Sequence, residues 1–192
     1  MASARPIATT RSTAGMPTGL LAVWWVVASE IVIFGGLLAS YIMHRLAHDA
    51  WSVQAAQTNT WVGAGNTLVL LTSSLCAVLG HKAAEEGDGR KASNFLLLTA
   101  LGGLTFLIVK AFEWAGKISH GLTLSSSTFW SFYYTAAGLH ALHVLAGGII
   151  LVIIAMQARK NMELHRVELI GIYWHFVDIV WIFLFPLLYI AK

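Results

Sequence analysis

Charge, cysteine and proline are all scarce in this chain, and each scarcity excludes something. Only 11% of the residues are charged. Soluble domains carry about 25%, so a soluble globular domain is excluded and a membrane protein is indicated. The mean hydropathy of +0.71 agrees. The single cysteine, Cys76, lies in an apolar run. A disulfide within the chain is therefore excluded, and so is a metal site built from several cysteines. Of the three prolines, only Pro186 interrupts an apolar span, close to its end. Repeats and low-complexity tracts are absent. The net charge of +3 reads as asymmetry between membrane loops, not as a nucleic-acid surface.

What the chain does have is long apolar runs. A helix needs about 20 mostly apolar residues to cross the hydrocarbon. Five stretches qualify, at about residues 20–44, 61–81, 92–114, 128–157 and 169–191. The expected fold is an all-α polytopic bundle of five transmembrane helices, residues 19–192, behind a polar tail, residues 1–18. The first apolar run, 25 residues long, is too long for a signal-peptide core, so it is expected to be retained as a span. Eight basic residues fall in the tail and in the second and fourth loops, against three on the other side. The positive-inside rule then puts the N-terminus in the cytoplasm and the C-terminus outside. Trp24, Trp51, Trp61, Trp114 and Trp130 fall near span ends, as an aromatic belt would.

Within these spans lie residues that lipid disfavours. Glu30 falls near the middle of the first span, His140 and His143 near the middle of the fourth, and His175 and Asp178 near the middle of the fifth. A charge facing lipid costs at least about 2.5–3.5 kcal/mol at the helix centre. The two His-containing pairs are spaced i, i+3 and so share a face. Turning those faces inward lets carboxylates and imidazoles pair. The five residues are therefore expected to form a buried polar network that fixes helix register. Gly35, Gly36, Gly138, Gly147 and Gly148 would allow close helix approach. Lys110 and Glu113 read as an interfacial ion pair with a snorkelling lysine. The run "EEGDGRK" reads as a solvated turn broken by Gly87 and Gly89.

Two rival functions fit some of these residues. His140 or His143 with His175 could be axial ligands to a haem, or all three could hold copper. A proton-coupled transporter could also use midplane acids and histidines. Such transporters show paired, interrupted spans in two halves, whereas here only Pro186 interrupts a span, near its end, and five is an odd count.

Six segments then point to a family. "YWHFVDIVWIFLF", Tyr173 to Phe185, resembles the C-terminal signature of subunit III of the haem-copper (cytochrome) oxidases. "ASEIVIFGGLLASY" resembles that family's Ser-Glu helix, with Glu30 on its glutamate. "NTLVLLTSS", "EGDGRKA", "FEW" and "FYYTAAGLHALHVLAGG" resemble its later segments in the same order. The longer members have seven helices, and this chain begins where their third would. The ending "LFPLLY" and the segment "VKAFEW" resemble the short five-helix branch. Ala136-Ala137 and Ala141 depart from the family's usual Thr-Gly and Gly. The resemblance implies a non-catalytic subunit of a terminal respiratory oxidase, in a bacterial inner (plasma) membrane. It implies no haem, copper or other cofactor in this chain, with haem and copper held by partner subunits. It further implies docking on subunit I beside other respiratory-complex subunits, bound phospholipid, and support for proton uptake and active-site stability. An accessory protein of nitric oxide reductases belongs to the same short branch and remains an alternative here.

Overall fold

The computed structural model describes residues 12–13, 16–47 and 51–191. Ser12–Thr13 (β1) and Met16–Pro17 (β2) make a two-residue antiparallel pairing ahead of the first helix. The regular elements described after it are all helical: α1 Thr18–Ala47, α2 Trp51–Ala55, α3 Thr60–Glu85, α4 Gly89–Ser119, α5 Thr128–Ala158 and α6 His165–Phe185. A π-helical turn, Pro186–Ile190, continues α6. Among the described residues five helices are long and apolar enough to cross a membrane, and the chain is a multi-pass membrane protein.

The helices run several residues beyond the apolar stretches because their ends are capped by polar groups that hydropathy does not score. Asn59 accepts from the amides of Trp61 and Val62 at the start of α3. Asp88 accepts from the amide of Lys91 at the start of α4, 3.0 Å away. That bond holds the Asp88 carboxyl below the usual carboxylate range. Ser127 accepts from the amide of Trp130 at the start of α5. The α3–α4 turn reverses at Gly87 and the turn after α4 at Gly121, with φ of 78° and 77°. That left-handed region is cheap only for glycine.

Helices α3, α4, α5 and α6 form a four-helix core, with α3 on α4, α4 on α5, and α6 across α3 and α5. Its interior is aromatic: Phe106, Phe129, Trp130, Tyr133, Trp174, Trp181 and Tyr189 are all fully buried. Helix α1 lies outside this core, chiefly against α6. Only 11% of its most apolar window is buried within the chain, against 50% for α6.

The Trp174 indole locks the four core helices. It sits between Gly103 of α4 and Gly147 of α5, and its Nε1 donates to Ser73 Oγ of α3 at 3.1 Å. Close approach at Gly147 was expected, but at Gly35, Gly36 and Gly148 nothing comes within 4 Å of where a Cβ would stand. Among the described residues, no neighbouring helix packs closely against those three positions. Tight contacts fall also on Gly63, Gly89, Gly102 and Gly103. The aromatic belt also divides. Trp24 and Trp61 are exposed, whereas Trp51 and Trp130 are buried core residues. The short helix α2 folds Trp51 back over α5, where it meets Phe129 edge-on at 5.6 Å.

Candidate functional site

The midplane residues resolve into separate contacts. Glu30 of α1 meets His143 of α5, with Oε2 3.2 Å from Nε2, and both side chains are largely buried. The approach is of ion-pair length but off-axis, so Oε2 is not in hydrogen-bond geometry. His143 Nδ1 lies 2.8 Å from the Leu139 carbonyl. A carbonyl only accepts, so Nδ1 carries a proton and Nε2 is left to face the carboxylate. This contact ties the peripheral helix α1 to the core.

His175 turns to α3, where its Nδ1 lies 2.6 Å from Ser74 Oγ. Asp178 is 4% exposed. Ser74 is beside it, yet neither carboxylate oxygen has a partner in hydrogen-bond geometry among the described residues. His140 is wholly buried and has no partner on either ring nitrogen among the described residues. Its ring stacks on Trp181 at 5.0 Å and meets Phe106 edge-on at 5.4 Å.

The structure therefore does not gather Glu30, His140, His143, His175 and Asp178 into one network. The i, i+3 spacing gives each pair a common face, but that face is wide enough to meet two different neighbours. His143 reaches α1 while His140 points into the aromatic core. Nor do the three histidines converge. Among the described residues, no group of three or more His, Cys, Asp or Glu is placed to hold a metal ion.

The densest polar cluster lies at the end of the bundle that carries the C-terminus, and it corrects the reading of Lys110 and Glu113. The pair forms, with Nζ 3.1 Å from Oε2, but Lys110 does not snorkel: its side chain is 3% exposed. Lys117 joins from the next turn of α4, with Nζ 3.3 Å from Glu113 Oε1. Tyr133 of α5 and Tyr189 of the π turn both donate to Glu113 at 2.9 Å. Lys110 also bonds the Tyr189 hydroxyl, and its ammonium lies 4.9 Å from the centre of the Trp181 ring. Burying a charge is costly unless it is paired and hydrogen-bonded, and here one carboxylate pairs with two lysines and accepts hydrogen bonds from Lys110, Tyr133 and Tyr189. Lys117, Tyr133 and Tyr189 were not foreseen. One signal was present: Lys110, Glu113 and Lys117 recur at i, i+3 and i+7, a single helix face.

Pro186 positions Tyr189. The π turn directs backbone carbonyls outward, and side chains from elsewhere take them up. Tyr41 donates to Leu187 O at 2.6 Å and Thr60 to Tyr189 O at 2.8 Å. Trp51 Nε1 donates to the Tyr41 hydroxyl at 3.1 Å, so α1 and α2 join the same chain of bonds.

Residues 6–192 match the family described as cytochrome c oxidase subunit III. A protein of Corynebacterium diphtheriae called cytochrome c oxidase subunit 3 is 34% identical over 172 residues, covering 86% of this chain and 84% of its own. A protein of the same name from Thermostichus vulcanus is 34% identical over 167 residues, covering 84% and 82%. The chain is also 31% identical over 181 residues to a heme-copper oxidase subunit I+III of Aeropyrum pernix, covering 88% of this chain but 22% of that much longer protein.

Proposed function

The chain belongs to the cytochrome c oxidase subunit III family, and from that membership we propose how it serves a haem-copper oxidase. It is a subunit III, and such a subunit works in association with subunit I. In our reading it docks on subunit I within the bacterial inner membrane, with its N-terminus in the cytoplasm. There it holds phospholipid and supports proton uptake and active-site stability while partner subunits, which carry the haem and copper, reduce oxygen. The observation that carries this reading is the match across residues 6–192. The Aeropyrum pernix relative, whose name joins subunits I and III in one chain, supports the docking. The architecture is compatible with it: α3 to α6 pack on one another, while α1 leaves Trp25, Ile31 and Val32 exposed, an apolar face available to lipid or a partner helix.

The role assigned to the midplane groups is structural. Glu30–His143 holds α1 in register, and the Lys110–Glu113 cluster holds α4, α5 and the end of α6. Purifying the tagged chain from its native membrane and identifying what accompanies it tests the proposal. A haem-copper subunit I of the cytochrome c oxidase type should co-purify in stoichiometric amount. Recovery with the catalytic subunit of a nitric oxide reductase, or recovery alone, would overturn it.

A further inference from the structure

The buried cluster on α4 is not electrically balanced within the described residues. Lys110 and Lys117 bring two ammonium groups, both at least nine-tenths buried, to the single carboxylate of Glu113. That carboxylate is saturated, since it already receives two lysines and two tyrosines. Among the described residues no other carboxylate lies at this end of the bundle: Glu85, Glu86, Asp88, Glu163 and Glu168 lie at the opposite end, and Glu30 and Asp178 within the spans. A surplus positive charge in low dielectric calls for a counter-ion.

The surplus is not sealed in. A recess of about 530 Å³ opens onto it, lined by Gln57, Glu113, Gly116, Lys117, His120 and Leu122. Lys117 has one ion-pair partner, Glu113, among the described residues, and an ammonium has three donors. The carbonyls of the last turn of α4 would repel an anion, but they are already occupied. Gly116 O takes Ser119 Oγ and lies 2.7 Å from His120 Nδ1, and Lys117 O takes the amides of His120 and Leu122. The recess lies at the end of a membrane-spanning helix, the depth at which headgroup phosphates sit.

We infer that this recess seats the phosphate of an anionic phospholipid headgroup, with Lys117 as its main cationic contact and Gln57 and His120 at its rim. The inference adds a location and a headgroup chemistry to the lipid binding proposed above, and it does not depend on which catalytic subunit is the partner. The identity of the co-purifying subunits tests the function, and the lipid count tests the recess.

The test is native mass spectrometry of the intact complex after detergent delipidation. It is repeated with added phosphatidylglycerol, with phosphatidylcholine and with inorganic phosphate alone. The wild type should retain one phosphatidylglycerol that Lys117→Gln binds about tenfold more weakly, the loss of one charge-assisted hydrogen bond. Gln57→Glu, an exposed change that leaves the buried cluster intact, should weaken retention similarly by repulsion. Phosphatidylcholine should bind less well, and inorganic phosphate should not substitute. Equal retention by wild type and both variants would overturn the inference, as would saturation of the site by inorganic phosphate. A lipid gained by Asp49→Asn but absent from the wild type would also overturn it. That result would assign the surplus charge to a carboxylate of this chain that lies outside the described residues.

Discussion

A Cβ on Gly103 would stand 2.6 Å from the Trp174 ring. The two residues lie on different helices, α4 and α6, and the absence of one side chain is the space the other occupies. Gly103→Ala forces the indole out of its slot, and overpacking of this kind costs typically about 1–3 kcal/mol. Trp174→Phe empties part of the slot and drops the bond to Ser73. Each single variant should lower the thermal midpoint of the purified chain. The double variant should be less destabilised than the two losses added together, because the smaller ring relieves the clash. Strict additivity would mean that the contact does not govern packing.

The Glu30–His143 contact makes a second prediction. Glu30→Gln and His143→Gln each leave a largely buried polar group without its partner, at a cost of about 1–3 kcal/mol. The pair should be strongly non-additive in a double-mutant cycle read by thermal unfolding. Glu30→Gln combined with Asp178→Asn should be close to additive, since the two carboxylates share no partner. Both single variants should loosen retention of the chain in its complex with little effect on oxygen reduction. Abolished oxygen reduction in a fully assembled complex would replace the structural role with direct proton transfer.

Topology is open to a direct check. Reporter fusions at Gly87 and after the last residue should report opposite sides of the membrane, with Gly87 cytoplasmic. The same side for both would contradict the asymmetry of eight basic residues against three.

The purified chain should be colourless and free of stoichiometric copper, zinc or iron by elemental analysis. A Soret band, or one metal ion per chain, would return the histidines to a redox role.

At the α3–α4 turn the Asp88 carboxyl is held below its ordinary range by the Lys91 amide. A group depressed on folding contributes stability that is present above its unfolded value and lost as pH falls through its folded one. The protection factor of the Lys91 amide, its exchange rate set against the intrinsic rate at each pH, should therefore be high at neutral pH and fall on acidification. In Asp88→Ala it should be low throughout.

Much of this was legible in the sequence, for definite reasons. The spans were readable because lipid demands apolar length, and the depth of Glu30 or Asp178 followed from the rise per residue. Partnership was not readable. Spacing along one helix says which residues share a face, but not which neighbouring helix that face meets. So His140 and His143, three residues apart, go to an aromatic core and to a carboxylate. Lys110 looked interfacial because it lies near the end of an apolar run. Its burial depends on Tyr189, 79 residues later, brought over it by a π turn that no sequence pattern announced. Trp51 and Trp130 looked like membrane anchors for the same reason, until α2 folded one of them back over the other's helix.

The π turn at Pro186–Ile190 also sets a sequence of events. The acceptors for Tyr41 and Thr60 are carbonyls of Leu187 and Tyr189, and the hydroxyl that completes the ligation of Glu113 is also Tyr189. A ribosome makes these residues more than a hundred positions after the groups that wait for them on α1 and at the start of α3. Until the last helix is inserted, the end of α1, the turn into α3 and the lysines of α4 lack partners that the finished protein gives them. The π turn is thus a closing stitch: its carbonyls fasten the first helix, and a chain that has not yet reached Pro186 leaves that edge unfastened.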